Sequence, residues 1–398
     1  FRSIGFSSIT VIGYLSYDQA KTALESESFN RLTAVREMKA SQIEDYFQEI
    51  RSQVETFSEN HSVIQAMADF KEGFRKVQNE VVATPEKEEL LKLYYKDQFL
   101  PELNLNLKKV AIIEDFYPNE ERVKLLQELY ISANPNPAGS KHFLTSTNDS
   151  STYNLAHIHY HPILRNFLEK FGFHDLFLVD DQTGDIVYSV FKEVDFATSL
   201  TNGPFKSTNF ARTFRSAVSS DKKDFISIVD FEPYKPSYNQ HASFISCPIY
   251  DKNERIGVLI FQMPIDKINN IMTNRQQWSK VGLGVSGETY IVGHDFTLRN
   301  QSRFLIEDRA HYLEMIQEIG VSQDTIEMIK NFGSTVGLQK VETEGTFLAQ
   351  SGETDTRIFS DYRGVDVLSA YRPLHIEGLD WSILSEIDES EAFQRWIR

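Results

Sequence analysis

"ASFISCPIYDKNERIGVLIFQMPIDKI" spans residues 242–268, and "VDVLSAYRPLHIEGLDWSILSEIDESEAF" spans 365–393. Each reads as an apolar strand, a proline, a short polar turn, a second apolar strand and a closing Ile-Asp. Identity between the two is weak, but the order of elements is the same. The chain therefore carries a repeated antiparallel unit.

Working outward from the first copy, "HDLFLVDDQTGDIVYSVFK" (174–192) reads as strand, turn, strand, with Gly184 in the turn. "FISIVDFEPY" (225–234) is a further strand, and "STNFARTFRSAV" (207–218) is a short helix between them. That makes five strands with one inserted helix. Ahead of the second copy, "SGETYIVGHDFTLRNQSRF" (286–304) is again strand, turn, strand.

The N-terminal third is helical. From Ser16 to Glu59 no Gly or Pro occurs, and Leu32, Val35, Ile43, Tyr46, Ile50, Val54 and Phe57 recur at threes and fours. Such a helix is roughly 60 Å long. Its stripe needs a partner: the chain's own body, another copy, or both. Residues 61–170 read as helices interrupted at Pro85, Pro101 and Pro118, with a loop at "SANPNPAGSKHFLTSTNDSS" (132–151). "FRSIGFSSITVIGYLSY" (1–17) is apolar and uncharged after Arg2, which suits the end of a membrane-spanning helix.

Composition narrows the function. A formal net charge of -16 argues against a nucleic-acid binder and against an anionic membrane surface as partner. The single cysteine, Cys247, excludes a disulfide scaffold and a Cys-rich metal site. It sits in an apolar strand and reads as a buried thiol rather than a nucleophile.

The run "NLAHIHYHPILRNF" (154–167) places histidines at 157, 159 and 161. On a strand all three would converge. The apolar spacing that follows is helical, which puts His157 and His161 on one face and His159 nearly opposite. Neither HExxH nor paired Cys accompanies them, so no metal is expected. "GLGVSG" (282–287) has GxGxxG spacing but precedes a strand, so it reads as a loop rather than a dinucleotide fingerprint. Asp180 and Asp181 fall in a hairpin turn, where Asp is favoured for turn hydrogen bonds. No catalytic constellation and no cofactor motif emerges.

Several stretches resemble the extracytoplasmic double Cache sensor region of bacterial transmembrane receptors. They are "LYISANPNPAGSK" (129–141), "YHPILRNFLEKFGFHDLFLVDDQTGDIVYSVFKEVDFATSL" (160–200), "FEPYKPSYNQHASFISCPIYD" (231–251), "SGETYIVGHDFTLRNQSRF" (286–304) and "DYRGVDVLSAYRPL" (361–374). The nearest group is the large form that precedes adenylate/guanylate cyclases, histidine kinases and chemoreceptors. The resemblance implies an α+β fold: a long N-terminal helix and helical segment, then two PAS-like antiparallel-sheet modules. The expected division is a transmembrane end at 1–16, a stalk helix at 17–60 and a helical segment at 61–170. A membrane-distal module at 171–272, a membrane-proximal module at 273–390 and a lead into a second transmembrane helix at 391–398 complete it.

The same resemblance implies function. A small polar ligand is expected between the concave sheet face and the segment "KEVDFATSLTNGPFKSTNF" (192–210) of the distal module. Expected contributors from that segment are Lys192, Asp195, Phe196, Thr198 and Asn209, and from the facing strands Asp230, Tyr234, Tyr238, Ser243, Phe244 and Phe261. Asp195 or Asp230 would pair with an amine and Lys192 with a carboxylate. Asp230, read as the end of the strand "FISIVD", is the leading candidate. The family's amino-acid-binding branch carries an Arg-x-Trp-Tyr motif, and no Trp occurs in 171–272. The expected role is a non-catalytic, inner-membrane-anchored sensor whose periplasmic region signals to a cytoplasmic output domain, paired as a homodimer through the long helix. A periplasmic binding or adhesion module without output is the alternative.

Overall fold

The computed structural model describes the backbone of residues 2–394 and the side chains of 16 and 18–393. The expected membrane segments at 1–16 and 391–398 fall largely outside those side chains. Among the described residues no helix is long and apolar enough to cross a membrane. The chain forms two compact units. One comprises 1–46, 265–376 and 380–398, and the other 47–264 with 377–379.

The first element is a helix of 57 residues, Arg2–Ser58, continuous because neither proline nor a C-capping glycine interrupts it after Gly13. Ile43, Ile50 and Val54 of its stripe are buried within the single chain. Their covering partner is the chain's own body, so the stripe does not by itself call for a second copy.

In the 47–264 unit, helices His61–Glu80 and Thr152–Phe171 pack together. Thr152–Phe171 begins at Ser151, whose side chain accepts from Asn154 N, and stops at Gly172 in the left-handed region at φ 76°. The sequence reading put an interruption at Pro101, but the chain stays helical from Pro85 to Asn104. A π-helical turn at Tyr95–Phe99 ends one residue short of the proline and widens the helix at Asp97, whose carbonyl, four residues back, the ring would strike.

The sheet of this unit consists of β1 (Asp175–Val179), β2 (Ile186–Ser189), β3 (Ser227–Tyr234), β4 (Gln240–Asp251) and β5 (Glu254–Gln262), all antiparallel in the order β2-β1-β5-β4-β3. Gly184 at φ 75° makes the β1–β2 turn. Phe177, Ile260, Phe244 and Tyr234 point to one face and cluster with Phe210 and Phe214 of the helix Asn209–Ser219. The alternate residues point to the helical layer. Phe261 lies 6.1 Å from the Phe57 ring and 5.8 Å from that of Phe167. Each such buried side chain contributes about 1.5–3 kcal/mol.

The other unit carries β6 (Glu288–Val292), β7 (Asp355–Ser360), β8 (Asp366–Pro373) and β9 (Ser382–Asp388), in the order β6-β9-β8-β7. Strand for strand this repeats β1-β5-β4-β3. The strand expected after β6 is reduced to isolated bridges at Thr297 and Leu298. The edge strand β7, which the sequence reading passed over, is formed. Helices Arg303–Glu307, Arg309–Glu318, Gln323–Phe332 and Glu344–Gln350 lie between β6 and β7.

Candidate functional site

The site begins at the first residue of β1. Asp175 is 1% exposed, and its Oδ1 accepts from Leu176 N at 2.6 Å and from Val190 N and Phe191 N at 3.1 Å. That carboxylate folds the segment after β2 back onto the sheet. Lys192 follows in the left-handed region at φ 59°, a costly geometry for a lysine. Its buried ammonium donates to the Ser189 carbonyl and lies 4.2 Å from the Tyr188 ring centroid, with Phe196 at 5.0 Å and Tyr130 at 5.6 Å. Three aromatic faces thus replace part of the water the cation has lost.

Asp195 is fully buried. Tyr234 Oη, at the end of β3, donates to its Oδ2 at 2.5 Å, and its Oδ1 meets no side-chain donor among the described residues. Thr198 Oγ1 donates to the Asp195 carbonyl at 2.7 Å. Gln127, from the helix Glu121–Gln127, donates through Nε2 to the carbonyls of Val194 (2.9 Å) and Phe196 (2.8 Å), while Tyr95 Oη donates to its Oε1. Ser237 Oγ donates to Glu193 Oε2 at 2.9 Å. Gln262, the register partner of both Asp175 and Phe244, is buried with Oε1 unpartnered.

Three carboxyls thus share a poorly solvated space with one ammonium. Burial, then the Asp195 charge, pushes Asp175 up to about 8. Burial raises Asp195 to about 6, and the Tyr234 hydrogen bond works against it. Glu193 rises well above the ordinary carboxylate range through burial and its two acidic neighbours. Burial lowers Lys192 to about 7, against the pull of Asp175. An added cation would relieve the carboxylates and ionise them.

Of the residues expected from the sequence, Lys192, Asp195, Phe196, Thr198 and Tyr234 come together here, with Phe244 5.1 Å from the Tyr234 ring. The others do not join them. β3 does not end at Asp230 but continues through it to Tyr234, with a register shift between Val229 and Glu232. In that bulge Asp230 Oδ1 accepts from Phe231 N, and its carbonyl accepts from Asn209 Nδ2. Asn209 also donates to the Ala242 carbonyl, so it holds the bulge together. Ser243 Oγ donates to the Val229 carbonyl on the opposite face, the face that also carries Phe261. Tyr238 stands in the left-handed region beside Phe99, at 5.9 Å.

Asp175, Glu193, Gln127, Tyr130, Tyr188 and Gln262, which the sequence reading does not name, share these surroundings. Asp175 heads the wholly buried strand "DLFLV", and an acid leading such a run was the one available signal. The histidines sit as the helical reading expected: His157 and His161 inward, His159 exposed. His161 Nε2–H donates to the His142 carbonyl at 2.7 Å, and its Nδ1 accepts from Tyr188 Oη at 2.6 Å. Burial lowers it to about 3, so the ring is neutral.

A cleft of about 360 Å3 opens between 114–123 and 198–206. Glu114, Asp115 and Glu120 give it acidic walls, and Thr198 connects it to Asp195.

No curated protein matches the chain. Among solved structures, the ligand-binding domain of the Campylobacter jejuni chemoreceptor Tlp3 with L-valine is 10% identical, covers 94% of this chain and 97% of its own, and has a TM-score of 0.40. That of the Pseudomonas fluorescens chemoreceptor CtaA with L-leucine is 14% identical, with 77% and 98% covered and a TM-score of 0.33. That of the Pseudomonas aeruginosa amino acid chemoreceptor PctC with GABA is 11% identical, with 58% and 81% covered and a TM-score of 0.35. The sequence profile of the Cache domain matches residues 18–396, almost the whole chain, and the chain belongs to the double Cache domain family.

Proposed function

We propose that the chain is the extracytoplasmic sensing region of a transmembrane receptor and that the module at 171–272 binds a small polar molecule with a cationic group. One observation carries this reading: Asp195 is fully buried, yet no side chain among the described residues meets one of its two carboxylate oxygens. A buried carboxylate is costly unless paired. Here Tyr234 takes one oxygen, Lys192 is held by Ser189 and its aromatic cage, and a ligand ammonium supplies the missing partner. Gln262 Oε1 offers a second acceptor, and Phe196, Tyr234 and Phe244 offer apolar walls. The role is sensing rather than catalysis.

In this reading 171–272 is the membrane-distal module and 273–390 the membrane-proximal one. Binding shifts the 190–198 segment, and the second module passes the change to a cytoplasmic output domain. The test is a thermal-shift screen of amines, carboxylates and nucleobases. Amine-bearing compounds should stabilise the wild type and leave Asp195→Asn unmoved. Stabilisation by carboxylates alone, or equal shifts in both proteins, refutes the assignment.

A further inference from the structure

The strand-for-strand repeat puts Glu288 where the other unit has Asp175, Glu386 where it has Gln262, and Ser369 where it has Phe244. Glu288 also does what Asp175 does. Its Oε1 accepts from the backbone N–H of Arg303, in the segment that follows the reduced hairpin. Its Oε2 accepts from Tyr362 Oη at 2.7 Å. The difference lies one strand over. Where Phe244 closes the first sheet face with an aromatic ring, Ser369 leaves a hydroxyl.

Glu386 is 3% exposed. Its Oε2 accepts from Tyr290 Oη at 2.7 Å, and the Ser369 hydroxyl, directly across the β8–β9 pair, turns its hydrogen bond to the same carboxyl. Tyr371 Oη, two residues along β8 on the same face, has no hydrogen-bond partner among the described residues. Of the charged groups facing this place, Asp361 is satisfied by Arg363 and the amides of Arg363 and Val365. Arg363 also reaches Asp388. Arg303 donates to Glu307 and to the carbonyls of Gly284 and Gly287. Arg363 is the cation whose charge reaches Glu386, and its guanidinium is already engaged by Asp361 and Asp388.

A cavity of about 530 Å3 in the same unit is lined by Ser322, Thr325, Leu338, Gln339, Asp361 and Tyr362, among others. Leu338 and Tyr362, which line it, belong to the buried cluster that also holds Tyr290 and Tyr371, and Tyr362 stands between the cavity and Glu288. We infer that the second sheet carries its own binding site, reached past Tyr362, in which a small amine donates N–H bonds to Glu386 Oε1 and Ser369 Oγ. The carboxylate and the lone pairs of the Ser369 hydroxyl can both accept from an added donor, and the excess of acids favours a positive one.

The test is calorimetric titration of the whole fragment, carrying Asp195→Asn to silence the first module, with methylamine, ethanolamine and putrescine as probes. At least one should give a saturable heat. Glu386→Gln, close to isosteric, should weaken it by at least about thirtyfold, the lower end for truncating a buried charged pair. Ser369→Phe installs the residue the first sheet has at that position and should abolish it. Circular dichroism checks that both variants are folded. No heat from any probe, or a heat that Glu386→Gln leaves within about threefold, overturns the proposal and makes Glu386 a neutral core acid. Loss of binding by the first module alone would leave this signal in place, so the two readings fail separately.

Discussion

Tyr234→Phe removes one hydroxyl and no packing volume, which makes it a clean probe of the buried acid. In the wild type that hydroxyl is the side-chain partner of Asp195 Oδ2, at 2.5 Å, and neither residue is exposed. Above pH 6 Asp195 is ionised, and the variant leaves a buried carboxylate with both oxygens short of a side-chain donor. Stranding a buried charged acceptor costs about 2–3 kcal/mol, whereas losing a neutral hydrogen bond costs about 1 kcal/mol. The sign follows from linkage. A carboxyl raised by burial is most at ease when protonated, so its stability contribution falls as pH rises from its unfolded value to its folded one. Removing Tyr234 Oη raises the folded value further and extends that fall to higher pH. Urea unfolding at pH 8 should therefore show a loss of about 2–3 kcal/mol, shrinking to about 1 kcal/mol at pH 5. An equal loss at both pH values, or a larger one at pH 5, would refute the claim that the hydroxyl serves the ionised acid.

Other outcomes follow from the same structure. Gln127→Leu unties the carbonyls of Val194 and Phe196 and should cost about 2 kcal/mol of stability by denaturant titration, with ligand binding weakened at the same time. Glu386, raised to about 8 by burial, makes the fold lose stability as pH climbs from about 4.5 to 8. Glu386→Gln should flatten that decline by a few kcal/mol, visible in melting temperature against pH. Glu391 accepts from Val285 N, Ser286 N and Ser286 Oγ, which pins the final helix Glu389–Gln394 to the loop before β6. Glu391→Ala should speed hydrogen exchange at the amides of Val285 and Ser286 by at least tenfold, corresponding to about 1.4 kcal/mol. Unchanged exchange would show that the loop holds itself.

The architecture was legible because both sheets announce themselves through the same strand–Pro–turn–strand pattern. The site was legible only in part. Of the residues expected at the site, Lys192, Asp195 and Tyr234 lie together, and the first two stand out in the sequence because the segment after the second strand is polar in an otherwise apolar module. Asp230 was misplaced because a bulge carries β3 through it, and a register shift leaves no mark in composition. Ser243 and Phe261 were assigned to the wrong face for another reason. β4 and β5 are buried on both faces along most of their length, so the alternation that would reveal a strand's inner side is lost. β7 was passed over because "DTRIFS" is an edge strand with mostly exposed side chains. Pro101 misled because the π turn that accommodates it has no sequence signature.

The most direct test of the sensing assignment is a crystal structure of the fragment soaked with the best amine from the thermal screen. Density should lie on the Phe244 face of the first sheet, with the ligand nitrogen within hydrogen-bond reach of Asp195 Oδ1. Density confined to the outer cleft at 114–123, with Asp195 untouched, would contradict the account.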